Sequence, residues 1–279
     1  MHTVPLKLVT IVAEPVLNNG TGLTLKSYLG NPLFAADGPV RDDVHQTGAG
    51  DCYFLAAVAG TAERDPSLIR RSIADMGNGT FAVTFGLMGG TPKVYLVDAN
   101  LEINGSGNLV NAQLGHNNCI WAALMEKAWT MARPVLNVVL PNGGGTYAPS
   151  QYLGTYRMLD GNGTQNAGLG APGGYASEFI RAEGGTINFY SNTGNSFYTQ
   201  IDADLGAGKL VLVNTNRTLT SGSGLVAYHI YVVEGFTKTW INGVAVPILV
   251  NLYNPWGYSV TVSFTDFMAN VGGETSGSV

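Results

Sequence analysis

Gln46-Thr-Gly-Ala-Gly-Asp51-Cys52-Tyr-Phe-Leu-Ala-Ala57 sets a cysteine where a glycine-bearing loop runs into an apolar, alanine-rich segment of helical character. The N–H groups of a helix's first turn have no intrahelical partner, and the helix dipole favours negative charge there. Both effects favour the thiolate, the reactive form of cysteine. Gly48 and Gly50 let the loop approach a substrate closely. Upstream of the cysteine, Gln46 carries an amide able to donate to a developing oxyanion. A lone cysteine at a helix start is as readily a small buried hydrophobe. The reading therefore needs a base and a group to orient it.

Four histidines are available. His2 lies at the start of the chain, His45 reads as a solvent-facing loop residue, and His116 falls in a polar Gly-His-Asn-Asn turn. His229 differs, because Leu225–Glu234 around it is dense in β-branched and aromatic residues and reads as a strand. Further on, Asn242-Gly243 is a strong two-residue hairpin signal. A hairpin closed there sets His229 opposite Trp256 and Tyr231 opposite Asn254. Residues two apart on a strand share a face. His229, Asn254 and Trp256 then share one face on neighbouring rungs, unless a bulge shifts the pairing. Asn254 is placed to fix the imidazole's tautomer, and Trp256 to shield that hydrogen bond from water.

Three segments together resemble the active-site motifs of the calpain cysteine proteases, members of the papain-like group: Gln46–Ala57, Gly224–Val233 and Asn254-Pro-Trp-Gly257. Trp121-Ala-Ala-Leu-Met-Glu126-Lys127-Ala-Trp129 is similar to the tryptophan-led helix of that core, and the strand Val94–Asp98 before it fits the order. The resemblance implies Cys52 as nucleophile, His229 as base, Asn254 as orienting group and Gln46 as oxyanion donor. Gly50, Asp51, Tyr228 and Trp256 are the supporting residues, and Asp51 is read as the N-cap of the Cys52 helix.

Two departures concern the cleft. Tyr53 follows the cysteine where the family usually has tryptophan, and Tyr228 precedes the histidine where it usually has glycine, which narrows the cleft or re-aims specificity. Others concern calcium. Asp43 fits one acidic position of the calcium-regulated members, but Cys119 stands at the second, and Tyr258, Ser259 and Val260 lie where the third is expected. Calcium wants several oxygen ligands, carboxylates foremost. The calpain-type calcium sites are expected to be lost or weak, no metal ligand set is expected elsewhere, and no cofactor is expected. Cys/His spacings do not match a zinc site. Cys119 reads as packing; a Cys52–Cys119 disulfide is open in principle and would silence the nucleophile.

With 279 residues, 12% of them charged, and a net charge of −5, the chain reads as globular and lacks the basic footprint of a nucleic-acid binder. No apolar run is long enough to span a bilayer. The start lacks a signal peptide's apolar region and cleavage pattern, which points to the cytoplasm or to export without a classical leader. Abundant Gly, Asn and Thr with few Lys have the style of a bacterial secreted protein. Helices are expected from Cys52 to about Ala62, Pro66 to Ala74 and Ile120 to Ala132, the last ended by Pro134. A strand is expected within Leu8–Ala13. Glycine-rich connectors are read at 141–146 and 161–174. A mostly β half follows, with strands near Lys209–Asn214, Leu225–Glu234, Lys238–Ile241, Val246–Tyr253 and Val260–Phe264. The expected fold is α+β, a papain-like/calpain protease core. Residues 1–165 form a helical subdomain carrying the nucleophile, residues 166–279 an antiparallel β subdomain carrying His229 and Asn254, with a cleft between. The expected function is cysteine endopeptidase action on protein or peptide substrates. The alternatives are a catalytically silent calpain-like binding module and a transglutaminase-like acyl transferase.

Overall fold

Residues 9–10, 15, 22–89, 91–133, 155–160 and 174–279 are described by a computed structural model. Most of the expected strand at 8–13, Pro134, most of the second glycine-rich connector, all of the first and the expected boundary at 165/166 lie outside the described residues.

The fold is α+β. Helix α1 (Cys52–Arg64) runs two residues past its expected end and stops at Asp65. Asp65 then caps α2 (Pro66–Ser72): its side chain accepts the Leu68 N–H, and Pro66 occupies the first turn, where a missing N–H costs nothing. Helix α3 (Trp121–Ala132) is buried along its whole length, Glu126 and Lys127 included. Lys127 survives burial because its ammonium donates to the Asp98 carboxylate at 2.6 Å and to the Asn100 carbonyl at 2.9 Å. It packs on β4 (Thr80–Phe85) and β5 (Lys93–Asp98), the centre of a four-stranded sheet flanked by β1 (Val9–Thr10) and β3 (Ile73–Asp75). A separate ribbon pairs β2 (Thr24–Ser27) with β6 (Asn100–Ile103). Phe54 of α1 stacks on Trp129 of α3 at 4.7 Å, so the aromatic stripe of α3 is core.

The C-terminal part holds a six-stranded antiparallel sheet. In chain order its strands are β7 (Ile187–Ser191), β8 (Leu210–Thr215), β9 (Ile230–Ile241), β10 (Val244–Asn254), β11 (Tyr258–Ser263) and β12 (Val271–Gly277), arranged β11-β10-β9-β8-β12-β7. Alternation along the central strands divides their side chains between two clusters. Leu210, Leu212, Ile230, Val232 and Tyr253 face α1 and join the larger core. Val211, Val213, Tyr231, Val233, Val250 and Leu252 face the other way, with Phe197 and Ile201 of α6 (Asn195–Gly206) and Phe267 of α7 (Phe264–Asn270). Two short helices, α4 (Arg157–Asp160) and α5 (Ser177–Glu183), complete the set. Helix α1 lies so close to the sheet that a Cβ on Gly60 would meet Leu210 at 2.3 Å. Among the described residues, no helix is long and apolar enough to cross a membrane.

The β9–β10 hairpin carries the functional register. Asn242 and Gly243 close it with φ of 51° and 77°, the two-residue turn read from the sequence. Two irregularities follow. Ile248 is an extra residue on β10, and Glu234 is an extra residue on β9 beside Gly235. They displace the register in opposite senses and cancel. Tyr253 consequently faces Val232, as in an uninterrupted hairpin. Expected strands Leu225–Glu234 and Lys238–Ile241 are corrected on one point each: β9 is a single strand, and it begins only at Ile230.

Candidate active site

Cys52 is the first residue of α1 and His229 is the residue before β9. Helix α1 packs on β8 and β9, and this brings the Cys52 sulfur beside the backbone N–H of Ile230, the residue directly after His229. Both side chains are nearly buried, at 8% and 4% exposure. His229 is held by its backbone on both sides. Its N–H donates to Thr215 Oγ1 at 2.8 Å, and its carbonyl accepts the Thr215 N–H at 2.9 Å.

The imidazole is oriented by its own contacts. Asn254 Oδ1 accepts the Trp256 N–H at 2.9 Å, which fixes which end of that amide is oxygen. The same oxygen lies 2.8 Å from His229 Nε2. An amide oxygen only accepts, so Nε2 carries hydrogen and the lone pair of the neutral ring is on Nδ1. The Trp256 ring packs 4.9 Å from the imidazole and Tyr231 meets it edge-on at 5.0 Å. Burial lowers the imidazole's pKa, the Asn254 bond opposing the shift.

Gln46 joins the group through its backbone, whose N–H donates to the Pro255 carbonyl at 2.8 Å. Its side-chain Nε2 donates to the Ala49 carbonyl at 2.7 Å, which ties the amide to its own loop and leaves one further hydrogen on that nitrogen. Gly48 is the glycine this loop requires, since a Cβ there would meet the Val110 carbonyl at 2.9 Å. Gly50, the other glycine of the motif, is half-buried. His45 is not solvent-facing as expected: it is half-buried, and its ring lies where a Cβ on Gly257 would stand.

Two expectations are corrected here. Asp51 occupies the N-cap position of α1, but its side chain accepts no capping hydrogen bond. The carboxyl group is fully buried and stands instead near Glu126 of α3. Glu126 accepts the Ala112 N–H at 2.8 Å, and burial, then the Asp51 charge, pushes its carboxyl well above the usual carboxylate range. Two buried carboxyls side by side disfavour ionisation of both, so one of them is pushed toward its protonated form. The second correction concerns the thiol. Burial pushes Cys52 up to about 12; the Ile230 N–H opposes this and the Asp51 charge adds to it. Removal from water therefore outweighs the helix-terminus effect on this thiol, against the expected bias toward the thiolate.

Tyr228 has φ of +50°, in the left-handed region. That conformation costs a non-glycine residue roughly 1–2 kcal/mol, which accounts physically for a glycine preference at this position. Its half-buried ring lies 5.9 Å from the Arg217 guanidinium. Tyr228→Gly removes the strain but adds chain entropy of about 0.5–1 kcal/mol, so the melting temperature should stay close to the parent value. A fall of more than about 2 °C in a thermal melt, equivalent to roughly 1 kcal/mol at this size, would remove the strain argument.

Sequence reasoning missed Thr215, the Ile230 N–H and Glu126, all brought in by packing between segments far apart in the chain. It also read His116 and Cys119 separately, as a surface turn and as packing. Both cysteines are free. His116 is half-buried, and it contacts Asp43 through Nδ1 and Asp37 through Nε2.

The sequence pattern of the calpain family cysteine proteases matches residues 23–135. Rat calpain-13 is 27% identical over 243 residues, covering 82% of this chain and 31% of that protein. Mouse calpain-8 is 28% identical over 81% of this chain and 29% of its own length, and the mouse calpain-1 catalytic subunit 27% over 82% and 29%. The chain thus spans less than a third of the length of these relatives. In sequence the molecule is similar to the calpain cysteine proteases, and its α+β architecture is consistent with a papain-like protease core.

Proposed function

We propose that this chain is a cysteine endopeptidase in which Cys52 attacks the scissile carbonyl and His229 moves the protons. The observation that carries the reading is the Asn254 bridge: one oxygen accepts both His229 Nε2–H and Trp256 N–H, at 2.8 and 2.9 Å. That leaves Nδ1 as the ring nitrogen free for proton transfer, beside the segment that meets the sulfur. Because the resting thiol is protonated and the imidazole neutral, attack is coupled to transfer of the thiol proton to Nδ1. Nδ1–H then protonates the leaving amine, and water, deprotonated by the same nitrogen, resolves the thioester. The oxyanion is received by the Cys52 N–H and the second hydrogen of Gln46 Nε2. The subdomain division at 165/166 belongs to the same reading: residues 1–165 bring the nucleophile and 166–279 bring His229 and Asn254. In this reading the calpain-type calcium sites are lost or weak, since Cys119 and the uncharged Tyr258, Ser259 and Val260 stand where two of the three carboxylates are expected.

The near-complete burial of Cys52 and His229 favours one competing reading, a silent binding module. The test is hydrolysis of an unfolded protein substrate together with alkylation of Cys52 by iodoacetamide across pH 6–9. Peptidase action predicts cleaved peptides. It also predicts an alkylation rate that climbs about tenfold per pH unit, because the thiolate fraction rises that steeply well below the thiol's pKa. A rate already on a plateau at neutral pH would instead mean a preformed thiolate. Absence of cleavage with every fold property intact would favour the module. Transfer to an added primary amine in place of water would favour the acyl transferase.

A further inference from the structure

The second cysteine lies in a cluster of mixed ligands. Asp43 Oδ1, His116 Nδ1 and Cys119 Sγ all lie within 4.8 Å of one another. Asp43 and Cys119 are buried, and His116 is half-buried. We propose that Asp43, His116 and Cys119 form a binding site for a thiophilic divalent cation of the zinc class. A water reaching the half-exposed His116 side would complete a tetrahedron.

The donor set selects the metal. One thiolate, one imidazole and one carboxylate suit Zn²⁺, whose tetrahedral sites draw on all three; Ca²⁺ and Mg²⁺ require a shell of oxygens that this cluster does not offer. The surroundings are those of a prepared site rather than of a chance contact. His116 Nε2 lies 2.6 Å from Asp37 Oδ1. A carboxylate there holds the proton on Nε2, the second-layer arrangement that metal-bound histidines use; without an ion Nδ1 hydrogen-bonds to Asp43 Oδ1, and a bound ion would take the place of that shared proton. The other Asp43 oxygen is held by Trp121 Nε1 at 2.7 Å and by the Val40 N–H at 3.0 Å, which fixes the carboxylate plane. Gly115 permits the close approach, because a Cβ there would stand 2.4 Å from Asp43 Oδ1 and 2.6 Å from the Cys119 sulfur.

The charge balance also closes. Binding sends the Cys119 thiol proton, and any proton on His116 Nδ1, into solvent. The two positive charges of the ion are then met by the Asp43 carboxylate and the Cys119 thiolate, a neutral centre suited to a buried place. The ion would tie the Arg41–Asp43 turn, just before the Gln46 loop, to the His116–Cys119 turn that leads into α3.

The test uses the full chain with Cys52→Ala, so that Cys119 is the remaining thiol. Titration with Co²⁺ should produce the near-ultraviolet thiolate-to-cobalt charge-transfer band with the visible bands of a tetrahedral ion. Zn²⁺ should displace the cobalt stoichiometrically, and a hundredfold excess of Ca²⁺ should not. Cys119→Ser should abolish the charge-transfer band. His116→Gln and Asp37→Asn, substitutions at partly exposed side chains that leave the core untouched, should weaken Zn²⁺ binding at least tenfold. The proposal is overturned by absence of a cobalt band, by a band that persists in Cys119→Ser, by unchanged zinc affinity in His116→Gln, or by displacement of cobalt by calcium.

Discussion

Cys52→Ala, His229→Ala and the double variant should all fall to one common floor of peptide hydrolysis, at least about 10⁴-fold below the parent kcat/KM. Groups that act as one unit are lost as one unit, so removing the second adds little to the first. The geometry makes the coupling especially tight here. Burial pushes the Cys52 thiol up to about 12 and lowers the His229 imidazole, so in the proposed mechanism the reactive form of each arises by proton transfer to or from the other. Alanine at 52 removes the sulfur; alanine at 229 leaves the sulfur protonated with no acceptor for its proton. Both folds should survive. Cys52 is a small side chain at a helix start, and without His229 the Asn254 oxygen keeps the Trp256 N–H. Kinetics on the three proteins, with thermal melts as control, check this. A double variant whose loss equals the product of the two single losses would mean that the two residues act independently, contrary to the proposed mechanism.

The sequence made the chemistry legible where it is local, and lost it where it depends on packing. Cys52 at a helix start follows from a glycine loop followed by apolar residues. The Asn254–His229 contact was readable from Asn242-Gly243 because the bulges at Ile248 and Glu234 cancel; either alone would have moved the pairing by a residue. The strand around His229 was read too long, since β-branched residues from Leu225 onward look like a strand while Tyr228 turns left-handed and breaks it. Asp51 shows the other limit. Its type and position describe a helix cap, but Glu126 arrives from α3 near the carboxyl, a proximity between residues 75 apart in the chain that no local pattern encodes. The Asp43–His116–Cys119 cluster is of the same kind. It depends on left-handed conformations at Asn117 and Asn118 and on a glycine at 115, none of which signals a ligand set by spacing.

Gln46→Ala should lower kcat by about 10²–10³, or roughly 2.7–4 kcal/mol, which is the usual cost of one oxyanion donor, and leave KM nearly unchanged. The backbone of the loop should keep its place, because the Gln46 N–H to Pro255 bond does not involve the side chain. The lost Nε2 bond to the Ala49 carbonyl raises a competing explanation: the amide matters only as a tether that shapes the loop. Two reactions of the same sulfur separate these roles. Hydrolysis passes through a tetrahedral intermediate with a negative oxygen. Alkylation by iodoacetamide is a direct displacement at carbon and generates no such oxygen. If Gln46 serves the oxyanion, Gln46→Ala loses hydrolysis while Cys52 alkylates at nearly the parent rate. Were both reactions to slow by the same factor, the side chain would be acting on the sulfur or the loop. The oxyanion role would then fall, with the Cys52–His229 unit left standing.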